Sequence, residues 1–140
     1  MATRSRIGIQ NQDGTVTSIY SHWDGYPSYN GKILVNHYTE REKVQALIDL
    51  GSISSLAESL ECPEGHGFEN RITGYTVAYH RDRGEDLETR VDRSVDEYLN
   101  SNVEDYGYLF TTEGEWICVD GLNREKIDLK ILSEKTANNF

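Results

Sequence analysis

Residues 4–23 carry the pattern that most restricts what this chain can become. Ile7 and Ile9 alternate with Arg6, Gly8 and Gln10, the dipeptide Asp13-Gly14 follows, and residues 15–23 are rich in β-branched and aromatic side chains. Alternation with a period of two gives a strand one apolar face. Asp-Gly is a strong hairpin signal, because glycine takes a positive φ at no steric cost. The same grammar returns near the other end, where residues 106–111 and 115–119 flank Thr112-Glu113-Gly114. Local hairpins pair antiparallel, so the fold must hold two such ribbons.

Between the ribbons the period lengthens. Pro27-Ser28 reads as a helix start with Ser28 as N-cap, and Tyr29, Ile33, Leu34 and His37 follow at helical spacing. Thr39 and Glu42 have capping-box spacing, Val44, Leu47 and Ile48 form one stripe, and Gly51 stops that helix. Ile53, Leu56 and Leu60 predict a short third helix over 52–60. Residues 61–70 read as a loop and 71–80 as a strand. Residues 81–93 are charged and weakly patterned, which predicts a mobile acidic loop. Ser94 and Glu97 repeat the capping box ahead of Val95, Tyr98 and Leu99. Ile127, Leu129 and Ile131 alternate, giving an edge strand or a short helix within 125–132, and 136–140 reads as a frayed tail. The sum is a single α+β domain over 1–140 in two layers: an antiparallel sheet of about five strands, two hairpins plus a middle strand, with two to three helices on one face. The other face would carry Tyr, Thr and charged side chains, or meet a partner, including a second copy of the chain.

Charge narrows the partners. The formal net charge is −10 over 140 residues. Arg4, Arg6, Lys32, Arg41 and Lys43 balance Asp13, Asp24, Glu40, Glu42 and Asp49 in the first fifty residues, so the excess lies in 51–140. Such a chain repels nucleic acid and is drawn to basic protein surfaces. There is no apolar run of membrane-spanning length and no secretory leader pattern. Cys62 and Cys118 make no disulfide framework and read as free thiols of a reducing cytoplasm.

The densest chemistry lies in residues 20–28, Tyr-Ser-His-Trp-Asp-Gly-Tyr-Pro-Ser. One reading is a structural corner, with Trp23 and Tyr26 capping the core, Asp24 receiving amides and Gly25 supplying an unusual backbone angle. The other is a binding surface: rings beside a carboxylate and an imidazole can stack a base or sugar, while cations and a helix N-terminus hold its phosphate. The candidate ligand-binding residues are Arg4, Arg6, His22, Trp23, Asp24, Tyr26, Ser28 and Lys32, and Arg71, Arg81 and Arg83, near the end of the third strand, raise the same question as the two N-terminal arginines. A second candidate surface is acidic: Asp82, Glu85, Asp86, Glu88 and Asp92 could imitate the phosphates of DNA and meet a basic groove on another protein. Cys62 and His66 have a spacing a metal could use, but no second pair completes a site, so no metal and no cofactor is implied. Ser21, His22 and Asp24 contain the residue types of a nucleophilic triad, yet adjacent strand residues point apart. An enzyme acting on a nucleotide or sugar would use His22 or His80 as base with Asp24 orienting it, and a structural or assembly module is the third alternative.

The opening Arg4-Ser5-Arg6-Ile7-Gly8-Ile9, the Asp13-Gly14 turn, residues 20–27, Gly31-Lys32-Ile33-Leu34, the 41–51 helix, Tyr108-Leu109-Phe110 and Gly114-Glu115-Trp116 together resemble a group of small tailed-bacteriophage proteins of unassigned function. The resemblance does not cover residues 80–105 and brings no catalytic residues with it. It implies phage origin, a host-cytoplasmic location and an accessory role: a non-enzymatic protein that inhibits a host or defence protein with a basic surface, or sequesters an anionic nucleotide-like signal.

Overall fold

The computed structural model describes residues 2–101, 103–127 and 129. In chain order it contains β1 (Ser5–Gln10), β2 (Val16–Ser21), a π-helical turn (Pro27–Gly31), α1 (Lys32–His37) and α2 (Arg41–Asp49). Then come β3 (Ile53–Ser55), β4 (Val77–Ala78), α3 (Tyr79–Arg83), β5 (Arg90–Asp92), α4 (Val95–Ser101), β6 (Tyr106–Phe110), β7 (Trp116–Asp120) and β8 (Lys126–Ile127).

Both ribbons form. β1 and β2 pair antiparallel from Ser5↔Ser21 to Gln10↔Val16, and β6 and β7 from Tyr106↔Asp120 to Phe110↔Trp116. Their turns share one design. Gly14 and Gly114 sit at φ 89° and 80°, and Asn11 and Thr111 each donate an amide at 2.8 Å to the carbonyl four residues on. In the first turn the Asp13 carboxylate also accepts from the amide and hydroxyl of Thr15.

How the ribbons combine departs from the expected antiparallel sheet of about five strands in two layers. One mixed sheet of eight strands runs β4-β3-β2-β1-β6-β7-β8, with β5 pairing β2 beside β3, and four α-helices accompany it among the described residues. β1 and β6 lie parallel from Ser5↔Tyr106 to Ile9↔Phe110, and β2 and β3 are parallel at Ser21↔Ile53. A hairpin satisfies only one edge of β1; the other still needs partners for its amides and carbonyls, and β6 supplies them.

The expected single covered face also becomes two. Ile7, Ile9 and Ile19 share a core with Tyr108, Phe110 and Cys118, sealed by Leu34 of α1 and by Val44, Leu47 and Ile48 of α2. The alternate residues form a second core, in which Val16, Leu109 and Val119 pack against Tyr98 and Leu99 of α4. Gly8 makes this approach feasible, because a Cβ there would lie 2.9 Å from Val16 Cγ1 and 3.0 Å from Tyr98 Cζ. The Tyr98 hydroxyl donates to the Tyr108 carbonyl at 2.8 Å, tying α4 to β6.

Smaller departures follow the same logic. Residues 52–60 hold β3 in place of a helix, and the 71–80 strand shrinks to β4 before α3 begins. The stretch 81–93, read as a loop, contains the end of α3, its stop at Gly84 (φ 74°), and β5. Ser28 is not an N-cap: the π-turn begins at Pro27, and neither this turn nor α2 has a side-chain cap bond. Ser94 does accept the Glu97 amide, at 3.1 Å. Within 125–132, Lys126 and Ile127 form a strand on β7; Ile131 and the 136–140 tail lie outside the described residues.

Candidate functional site

The corner at residues 20–28 has a structural inner side and an open outer side. His22 and Trp23 donate their amides to the carbonyls of Ile53 and Ser54, at 3.2 and 3.0 Å, which ties the end of β2 to β3. Asp24 turns the chain in the left-handed region (φ 57°), and its carbonyl accepts the Asn30 amide at 3.3 Å. Gly25 is pressed against the start of the chain. Its amide bonds the Thr3 carbonyl at 2.8 Å, its carbonyl accepts the Tyr108 hydroxyl at 2.7 Å, and an added Cβ would stand 2.8 Å from Ser5 Cβ. Asn30, fully buried, donates to the hydroxyls of Ser5 and Ser21. On the outer side Trp23, Tyr26 and Tyr29 are 41%, 37% and 39% exposed.

Those rings border a cleft. A concavity of about 490 Å³ is lined by Trp23, Asp24 and Tyr29 from the corner, by Ser55, Leu56 and Ala57 from β3 and its continuation, and by residues 71–75 ahead of β4. A second one, of about 440 Å³, is lined by Ser28, Lys32, Ile33, Asn36, His37 and Glu58, and it shares Tyr29, Ala57, Thr73 and Gly74 with the first. His66 positions the 71–75 segment. Its Nδ1 accepts the Ile72 amide at 2.9 Å and its Nε2 lies 3.2 Å from the Thr76 carbonyl, so the proton sits on Nε2 and both ring nitrogens are engaged.

The cleft carries charge of both signs, Arg71 with Asp24 on the first concavity and Lys32 with Glu58 on the second. Among the described residues, the side chains of Lys32 and Arg71 make no hydrogen bond, ion pair or ring contact, whereas most of the other lysines and arginines do. Both line the concavities. The Tyr26 hydroxyl lies 3.4 Å from Asp24 Oδ1, and the charge of Asp24 raises the Tyr26 phenol above its ordinary value, which keeps it a donor.

The structure thus places Trp23 and Asp24 on the first concavity, Ser28 and Lys32 on the second, and Tyr26 exposed beside them. His22 stands against Trp23, edge-on at 4.6 Å, with Nδ1 2.8 Å from the Tyr20 hydroxyl. Arg4 and Arg6 are elsewhere. Arg6 is 9% exposed on the α4 face, bonded to Ser18 through Nε (3.1 Å) and Nη2 (3.3 Å), with burial and nearby Arg90 drawing it below its ordinary value. Arg4 bonds Asp105 Oδ2 through its backbone amide at 2.9 Å, and its charge works against the burial that raises the nearby Tyr20 phenol above its ordinary value. Tyr29 reads in the sequence as part of the helical stripe with Ile33 and Leu34, and residues 72–75 as part of a strand without a site-like pattern, so neither stands out there as a site residue.

The acidic set divides. The Asp82 side chain is 1% exposed and accepts from Arg81 Nε and the Ala78 amide, each at 2.8 Å, while Asp92 is 3% exposed and pairs with Arg90 at 3.3 Å. Glu85 pairs with Arg83, and Glu85, Asp86 and Glu88 line a third concavity of about 530 Å³ with Tyr20 and Tyr79. Burial alone would raise the Asp82 carboxyl. The hydrogen bonds from Arg81 and the Ala78 amide, with the charge of Arg81, outweigh that and hold it below its ordinary value. A depressed carboxyl contributes stability above its unfolded pKa, about 4, and that contribution disappears as acid protonates the folded form. Urea unfolding at pH 7 and pH 3 should therefore show Asp82→Asn clearly less stable than the parent at pH 7, with the gap closing at pH 3.

Among the described residues no histidine or serine forms an acid–base constellation with Asp24. His22 bonds Tyr20, His80 Nδ1 lies 2.7 Å from the Glu85 carbonyl, and the Ser21 hydroxyl meets Asn30. Among the described residues no three His, Cys, Asp or Glu side chains gather as metal ligands do, and no helix is long and apolar enough to cross a membrane. No protein-family model, curated protein or solved structure matches the chain, so a functional reading rests on the chemistry of the cleft.

Proposed function

We propose that the protein works by binding, without turnover, and that its cargo is a small anion carrying an aromatic ring, of the nucleotide class. The observation that carries this is the pair of unpartnered cations, Arg71 and Lys32, on adjoining concavities of a chain with net charge −10. Carboxylates are abundant here, and most other described cations have found a partner. Two left open beside exposed rings offer charge-assisted bonds to a phosphate. Trp23 and Tyr29 offer faces for stacking a base, and Asp24 and Tyr26 offer an acceptor and a donor for its edge. The cleft volume is that of a site for a small organic ligand. The resemblance to small tailed-phage accessory proteins fits a role in the infected host's cytoplasm, keeping the nucleotide signal of a defence system from its receptor. Blocking a basic partner through the acidic residues draws less support, because Asp82 and Asp92 are engaged internally.

Trp23 is a built-in reporter. The other tryptophan, Trp116, is half-buried, with its indole N–H on the Tyr38 carbonyl at 2.8 Å. Titration with a panel of mono-, di- and cyclic nucleotides should give saturable quenching and a rise in melting temperature for at least one class, weaker at high salt. A flat response in both signals across the panel, up to millimolar ligand, removes the reading.

A further inference from the structure

We infer that the ligand is bipartite: two ring-bearing halves joined by an anionic linker, as in a dinucleotide, laid across Tyr29. This rests on the cleft taking nucleotide-class anions. The two concavities, about 490 and 440 Å³, are similar in size, each sufficient for one nucleoside-sized half. They are not separate sites, since Tyr29, Ala57, Thr73 and Gly74 belong to both. The shared boundary is built from small residues apart from Tyr29, and a Cβ at Gly74 would meet nothing within 4 Å, so the passage is open.

The cations divide the same way. Arg71 belongs to the first concavity and Lys32 to the second. A mononucleotide seated in one concavity reaches one of them; a ligand spanning Tyr29 reaches both. The two halves meet different chemistry, Trp23 with Asp24 on one side and Ser28 with Asn36 on the other, so they need not be alike. Linking two weakly bound halves makes the second contact intramolecular, which raises affinity by roughly a hundredfold or more without any new contact.

The test is calorimetric titration of the full chain with linear and cyclic diribonucleotides of adenine and guanine, against AMP and GMP, repeated with Lys32→Ala and Arg71→Ala. Both side chains are exposed and unpartnered, so both variants should keep the parent melting temperature. Expected is one-to-one binding of a dinucleotide about a hundredfold tighter than its mononucleotide, with either variant weakening it about tenfold or more. The mononucleotide should respond to only one of the two variants. Equal affinity for mono- and dinucleotide, or a dinucleotide that senses only one of the cations, overturns the bipartite ligand and leaves the nucleotide cleft standing. Absence of any binding overturns both.

Discussion

Trp23→Ala is expected to weaken ligand binding by roughly ten- to a hundredfold while leaving the unfolding midpoint nearly unchanged, since stacking a base on an aromatic ring contributes about 1–3 kcal/mol. The two outcomes separate because the backbone of Trp23 holds the corner and its ring does not. The amide bond to Ser54 survives the substitution, and the ring, 41% exposed, has His22 as its aromatic neighbour. Calorimetry must replace fluorescence here, because the reporter is removed. Trp23→Tyr should recover part of the affinity by restoring a stacking face. A large fall in midpoint would make the indole a structural cap, and unchanged affinity would place the ligand elsewhere.

Tyr98→Ala is expected to cost about 3–5 kcal/mol, the usual range for deleting a large buried ring, against a total of about 5–15 kcal/mol for a domain. Tyr98 is fully buried and is the largest side chain of the second core, where it meets Val16, Leu109 and Val119. Tyr98→Phe isolates the hydroxyl. It keeps the packing but leaves the Tyr108 carbonyl short of its donor, at about 1–2 kcal/mol. Urea denaturation of both variants tests the second covered face directly. If the alanine variant loses less than about 1 kcal/mol, α4 is not packed on the sheet as described.

Much of the local structure was legible in the sequence. Asp13-Gly14 and Glu113-Gly114 marked the two ribbons, and Val44, Leu47 and Ile48 marked α2. What could not be read was how the ribbons join. A turn residue reports the pairing of its own two arms, whereas the β1–β6 ladder links residues about a hundred positions apart, and nothing local encodes its parallel sense or register. The short 52–60 segment shows the opposite failure. Ile53, Leu56 and Leu60 have helical spacing, but over nine residues that spacing is weak evidence, and pairing of Ile53 with Ser21 and Ala78 prevailed. At the site, Trp23, Asp24 and Lys32 drew attention because their residue types are chemically loaded. Arg4 and Arg6 drew it for the same reason, yet the period of two turned Arg6 toward α4, away from the cleft. Residues 72–75 stayed silent because their place comes from His66 and from the path into β4, which are tertiary facts.

The parallel junction of β1 with β6 has a consequence for biosynthesis. The first ribbon is complete once Ser21 has left the ribosome, but the strand that will lie along the free side of β1 is made about a hundred residues after β1, roughly 5–20 s at ordinary translation speeds. Through that interval a row of bare amides and carbonyls, with Ile7 and Ile9 behind it, is open to any extended segment on a neighbouring nascent chain. Yield of native protein should therefore fall with crowding on the messenger, and a chain that terminates before Tyr106 keeps that side unguarded for good.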